Sequence, residues 1–236
     1  MAPRLLGLLL THETEAGPVT IELTEVEAYA GEVDPASHAF RGTTLRNNVM
    51  FGSAGRLYVY LSYGMHWCAN IVTGPDGQAS AVLLRAGRVV QGVDLARSRR
   101  GPRVLDRSLA RGPACLTQAL GIDSRHNAID LLSGGTLRLT PPPSPDLSEP
   151  GAAIASSLSD KSGDGGGVGE LRAAGRVAKV PQGSDAAGRV VAGPRVGVSQ
   201  AADVPWRFWL YGDETVSAYK RSPRAPATPS AAGAPR

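Results

Sequence analysis

Cysteine is almost missing from this 236-residue chain: Cys68 and Cys115 are the only two. Two cysteines exclude a disulfide framework, and without a CxxC pair they exclude a cysteine-built metal centre. The four histidines are scattered and form no HExxH pattern, so neither a metal nor another cofactor is expected. Lysine is nearly as scarce. Of 25 basic residues only Lys161, Lys179 and Lys220 are lysines. With the heavy Ala, Gly and Pro content, that skew matches a GC-rich coding sequence and carries no functional weight. No apolar run approaches the roughly 20 residues of a membrane span. The opening run LLGLLL is too short for a signal peptide and leads into THETE with no small-residue cleavage site. It reads as a core segment, and the protein as cytoplasmic with no membrane partner.

The length suits one domain with a substantial core. A net charge of +4 permits a polyanionic partner without demanding one. Residues 19–29 (VTIELTEVEAY) are rich in β-branched side chains and alternate, which predicts a strand. Period two places Val19, Ile21 and Leu23 on one face and continues that face through Glu25, Glu27 and Tyr29. Residues 31–55 are rich in Gly, Pro and Asn and read as irregular. Residues 56–63 and 67–73 predict a hairpin turning at Gly64, and 80–85 a buried strand. Helix is predicted at both ends of 90–110, and over 113–120 with Gly121 as its stop. Residues 136–140 and 206–211 are late strands. Residues 141–193, with PPPSP and GDGGGVG, read as a low-complexity excursion carrying a short helix near 152–158. Residues 222–236 read as a disordered tail. The sum is an α+β domain over 1–220, with a curved, mostly antiparallel sheet flanked by helices.

Three features can carry chemistry. A carboxylate on a core-facing strand position is costly unless paired. Glu27 is therefore either a salt-bridged residue at a sheet margin or a general base. Four of the six tyrosines, Tyr29, Tyr58, Tyr60 and Tyr63, fall within 35 residues. They pack across strands, or they stack on a nucleobase. Eight arginines between Arg85 and Arg111 face only Asp94 and Asp106, forming a solvated helix face or a phosphate-contacting surface.

The order of several blocks is more specific than any one of them: EVEAYAG (25–31), DPASHAFRG (34–42), RNNVMFG (46–52), YVYLSYGMHWCANIV (58–72), AVLLRA (81–86), GPACLTQALGI (112–122), RVGV (195–198) and WRFWL (206–210). In these the chain resembles the alkyladenine (3-methyladenine) DNA glycosylases of base-excision repair. The resemblance implies a fold like the C-terminal domain of methionyl-tRNA formyltransferases. It implies a monomeric enzyme that flips an alkylated or deaminated purine out of double-stranded DNA and hydrolyses its glycosidic bond. Glu27 would activate the water, with Arg85 and the carbonyl of Val196 holding it. Tyr29, His38 and Tyr60 would line the base pocket and Asn70 its floor. Tyr63 would be the wedge in the duplex, with Met65 beside it, and Arg46 and Arg100 would face phosphates. Cys115 stands where the family commonly has a lysine, which removes one expected phosphate contact. The lysines lie in or beyond the low-complexity stretch, so no amine is placed for a Schiff base and a monofunctional enzyme without lyase activity is expected. Two other classes compete: a non-catalytic nucleic-acid-binding module on the same scaffold, and a hydrolase of free nucleosides. The latter has no use for the Tyr63 hairpin or the arginine stretch.

Overall fold

The longest β-favouring run in the sequence forms the strand round which the sheet is assembled. The computed structural model describes residues 1–143 and 189–227. Eleven elements order these residues: β1 (Leu9–Thr14), β2 (Gly17–Tyr29), β3 (Leu57–Ser62), β4 (His66–Val72), β5 (Ala81–Gln91), α1 (Val93–Arg100), β6 (Ala110–Arg111), α2 (Pro113–Leu120), β7 (Leu137–Thr140), β8 (Val190–Gly193) and β9 (Arg207–Leu210). Short 3-10 turns fill several connections. The sheet runs β3-β4-β5-β2-β1-β7, with β6 beside β5 and β9 bridging β2 and β8. Every pairing is antiparallel. This is the α+β architecture the sequence predicts. No helix among the described residues is long and apolar enough to cross a membrane.

β2 changes partner along its length. Its first half pairs with β1, as in Leu10 opposite Ile21. From Glu25 to Glu27 it pairs with β9 instead, while β5 follows it on the other edge throughout. The main core lies on one face, where Leu10, Ile21, Leu23, Leu57 and Leu84 meet Leu116 and Leu120 of α2. That helix starts on Pro113 and stops at Gly121, whose φ of 74° lets the Ile122 N–H reach the Thr117 carbonyl at 2.8 Å. A smaller cluster on the other face joins Tyr58, Val72 and Ala81 to Ala39 and Met50. Residues 31–55 thus cover the second face. Their backbone is tied by buried Asn47, which donates to the carbonyls of His38 at 2.9 Å and Gly42 at 3.0 Å.

The single alternating face expected for β2 is broken. Leu23 opposes Gly87 and Glu25 opposes Ala86, which leaves Thr24 as an extra residue; Val26 then opposes Leu84, which leaves Arg85 extra on β5. Such a pair of bulges reverses which side each later residue faces. Val19, Ile21 and Leu23 enter the main core, but so does Val26, three residues on. Glu25, Glu27 and Tyr29 therefore point away from it, not along it. Strict period two gave the wrong face because it assumes an unbroken ladder.

Other boundaries moved for local reasons. β5 continues to Gln91, so α1 begins at Val93, after Gly92 takes a left-handed φ of 73°. The far end of 90–110 is a 3-10 turn, Asp106–Ser108, followed by β6. Val190–Gly193, read as part of the excursion, pairs with β9. The helix expected near 152–158 lies outside the described residues. The first residues of the expected disordered tail are placed in a turn, with the Ala225 N–H on the Ser222 carbonyl at 3.1 Å.

Gly31 closes β2 with a φ of 62°, and a Cβ there would stand 1.9 Å from the Ala79 carbonyl oxygen. Gly77 also has a positive φ, 84°, but a Cβ there meets nothing within 4 Å. In urea unfolding, Gly77→Ala should cost only the backbone strain, about 1 kcal/mol. Gly31→Ala should cost at least about 2 kcal/mol, because strain and overpacking add.

Candidate active site

On the face turned away from the main core, the strand residues that alternate with core positions surround a cavity of about 720 Å³. β2 supplies Glu27 and Tyr29, β3 supplies Tyr58 and Tyr60, β4 supplies Asn70, and β5 supplies Arg85. His38 and Arg46 enter from the covering loop and Val196 from the segment after β8.

Glu27 has no solvent exposure. Its Oε1 accepts the Val196 N–H at 2.7 Å and lies 3.4 Å from Arg85 Nη1; its Oε2 accepts the Tyr29 hydroxyl at 2.9 Å. Burial raises the carboxyl above its usual range, while the Arg85 charge and the two donors act against that rise. Glu27 is thus a desolvated carboxylate whose lone pairs are oriented by fixed donors. The Val196 N–H thus serves Glu27 directly, and its carbonyl is the group that the resemblance assigns to the attacking water.

The aromatic wall is continuous. Tyr58 and Tyr60 stack with centroids 5.5 Å apart, and the His38 ring stands edge-on to Tyr60 at 4.5 Å. His38 Nδ1 lies 3.2 Å from the Tyr58 hydroxyl. Burial, helped by the charge of Arg46, lowers the imidazole pKa, so the ring stays neutral near pH 7. The Arg46 guanidinium sits 5.6 Å from the Tyr60 ring centre. Asn70, buried, donates to the Tyr58 carbonyl at 3.2 Å. At the rim, Tyr63 is 91% exposed and holds a left-handed φ of 51° that a bulky residue rarely adopts. Among the described residues no group of three His, Cys, Asp or Glu side chains is placed to hold a metal ion.

Residues 1–157 match the family model of methylpurine-DNA glycosylases. This chain belongs to that family. It is 48% identical over 230 residues to a protein of Nocardia farcinica, covering 95% of this chain and 88% of the relative. A Frankia casuarinae protein is 47% identical, covering 96% and 90%, and one of Leifsonia xyli is 43% identical, covering 94% and 88%. All three are provisionally named 3-methyladenine DNA glycosylases.

Nine of the eleven residues singled out in the sequence line the glycosylase cavity together. Met65 stands outside it, 72% exposed on the same hairpin as Tyr63. Arg100 is also outside and is engaged within the protein. It donates to the Leu109 carbonyl at 2.8 Å, to Gln118 Oε1 at 2.6 Å and to Cys115 Sγ at 2.9 Å. Sequence reasoning missed two ion-paired groups that build the site. Arg195 grips Asp34 through its two terminal nitrogens, Nη1 at 2.5 Å and Nη2 at 2.9 Å, and lies 4.6 Å behind the Tyr29 ring. Glu25 is bound by Arg85 and Arg207 at 2.9 and 2.6 Å. Both sets fall inside the quoted blocks or beside them, but partners 161 and 182 residues apart leave no local signal.

Because folding raises the Glu27 pKa, it favours the protonated acid; the cost of the buried charge is absent at low pH and appears as pH rises through that raised value. Glu27→Gln keeps the shape, and its carbonyl can still accept the Val196 N–H. The variant should be more stable than the parent at pH 8, by on the order of 1 kcal/mol. The difference should vanish towards pH 4. Urea unfolding at both pH values tests this; a variant less stable at pH 8 would contradict it.

Proposed function

We propose that this glycosylase draws a damaged purine nucleotide out of double-stranded DNA into the cavity and hydrolyses its N-glycosidic bond with a water activated by Glu27. The carrying observation is a fully buried, donor-oriented carboxylate facing an aromatic-walled cavity of about 720 Å³. That volume is in the range of small-molecule sites and leaves room for a purine nucleotide. Tyr29, Tyr60 and His38 offer ring faces and edges to the base, and Asn70 a polar floor. An alkylated purine is cationic, so aromatic walls attract it, and it departs readily with the bonding electron pair. Water oxygen bonds to the sugar C1′, the C1′–N bond breaks, and Glu27 takes the proton. The product is an abasic site and a free base. Deaminated purines enter the same pocket without the advantage of charge.

Tyr63 supports the flipping step. A solvent-exposed tyrosine held in a strained conformation at the cavity rim suits a wedge that fills the place of the extruded base. Met65 flanks it, and Arg46 at the cavity rim would meet a phosphate. In this reading the enzyme acts as a cytoplasmic monomer on a scaffold like the formyltransferase C-terminal domain. It has no lyase step. Lys220, the described lysine, is exposed in a groove beyond Tyr63 and does not line the Glu27 cavity.

Release of 3-methyladenine from methylated duplex DNA under single-turnover conditions tests the reading. Glu27→Gln should lower the rate by about 10²- to 10⁴-fold while damaged-duplex binding persists. Unchanged release would exclude Glu27 as the base, and borohydride should trap no covalent enzyme–DNA adduct. Tyr63→Gly should raise stability by about 1 kcal/mol, because the φ strain is removed. The same variant should bind damaged duplex more weakly and release base more slowly.

A further inference from the structure

The mechanism leaves the buried carboxylate beside Glu27 unused. Glu25 is two residues from Glu27, has no solvent exposure and accepts four hydrogen bonds. Arg85 Nε and Arg207 Nε reach its Oε1 at 2.9 and 2.6 Å, as does the Ser217 hydroxyl at 2.9 Å; the Ser217 N–H reaches its Oε2 at 2.7 Å. Ser217 also takes a hydrogen bond from Arg85 Nη2 at 3.3 Å, and its carbonyl accepts one from Arg207 Nη2 at 2.6 Å. The loop carrying Ser217 is fixed at the β2 bulge, where the hydroxyls of Thr24 and Thr215 meet at 2.7 Å.

Arg85 is therefore shared unequally. Two of its nitrogens serve Glu25 and Ser217, and Nη1 is left 3.4 Å from Glu27. We propose that Glu25 is a positioning residue for Glu27: anchored by Arg207 and Ser217, it takes the short contact with Arg85 and leaves Glu27 the long one. The carboxylate that faces the cavity is held in line without being fully neutralised. This rests on the reading of Glu27 as the base.

The physical case is a balance of charges in a dry site. A general base works best when it is neither freely solvated nor locked in a strong ion pair. Around Glu27, β2 presents Glu25 and Tyr29, and β5 presents Arg85. Tyr60 lines the same cavity from β3, Arg207 is the pairing partner of Glu27 on β9, and the loop after β8 gives the Val196 amide, with Arg195 behind Tyr29. Among these, only Glu25 is negative and close enough to compete for Arg85. Its charge also repels a second carboxylate two residues away, which makes Glu27 more basic.

Two substitutions move the base in opposite directions. Glu25→Gln removes the competitor, turns Arg85 towards Glu27 and weakens it as a base. The acid limb of the single-turnover rate profile should shift about one pH unit lower, and the plateau should fall several-fold. Ser217→Ala keeps both charges and removes the hydroxyl that donates to Glu25 at 2.9 Å and accepts from Arg85 Nη2 at 3.3 Å; the shorter bond is the larger loss, so Glu25 leans harder on Arg85 and the acid limb should shift to higher pH. A merely structural Glu25 would lower stability and leave both limbs where they are. Glu25→Gln can fail to fold because its neighbours are charged and buried, and Ser217→Ala then decides alone: an acid limb that does not move overturns the proposal. The parent enzyme and Glu27→Gln are run beside them. No base release by the parent, or full release by Glu27→Gln, defeats the functional reading itself. Normal behaviour of both controls with unmoved limbs defeats only the role of Glu25.

Discussion

Arg85 reaches from one strand to two carboxylates on its neighbour, at 2.9 Å from Glu25 and 3.4 Å from Glu27, and much of the molecule is arranged to make that contact tolerable. Two unpaired carboxylates at zero exposure would cost several kcal/mol each. Arg207 from β9 and the Ser217 loop share the neutralisation, so the last described strand and its following loop are tied to the second strand in the sequence. The contact is possible because the ladder between β2 and β5 breaks twice at one place, with Thr24 extra on one side and Arg85 on the other. A regular ladder would have sent the Glu27 side chain into the leucines of the main core.

The same break gives the sheet two working faces. Below it, Leu23, Val26 and Leu84 pack against α2. Above it, the carboxylates, tyrosines and Asn70 look into a cavity roofed by residues 31–55. That roof holds itself through Asn47 and through the buried Arg195–Asp34 pair. The pair also lies against the Tyr29 ring, so the aromatic wall of the cavity is supported from behind. Stability and chemistry are opposed here: Glu27 is held desolvated, and Tyr63 is held in a conformation that a glycine would occupy more cheaply.

Legibility followed the range of the interaction. The β3–β4 hairpin was readable because its alternation and the Gly64 turn are local. So was α2, bracketed by Pro113 and Gly121. Tyr58 and Tyr60 share a face as period two requires. β8 was hidden because four residues, VVAG, follow a Gly-rich stretch, and only pairing with β9 makes them a strand. Arg100 was assigned to a phosphate by the family resemblance alone. Its guanidinium hydrogen-bonds within the protein to Gln118, Cys115 and a backbone carbonyl, partners that neither the resemblance nor a charge count reveals.

The sequence by itself determined the family, most of the strands, helix α2 and nine of the residues that meet in the cavity, because motif blocks and residue periodicity are local properties of the chain. Tertiary structure decided which face Glu27 occupies and how it is charged. Both depend on a strand bulge whose partner residue lies about 60 positions away and on Val196, Arg207 and Ser217, brought in from the far end of the chain. Period two ran to the wrong side at Thr24 because a bulge is a property of two strands together, not of either one alone.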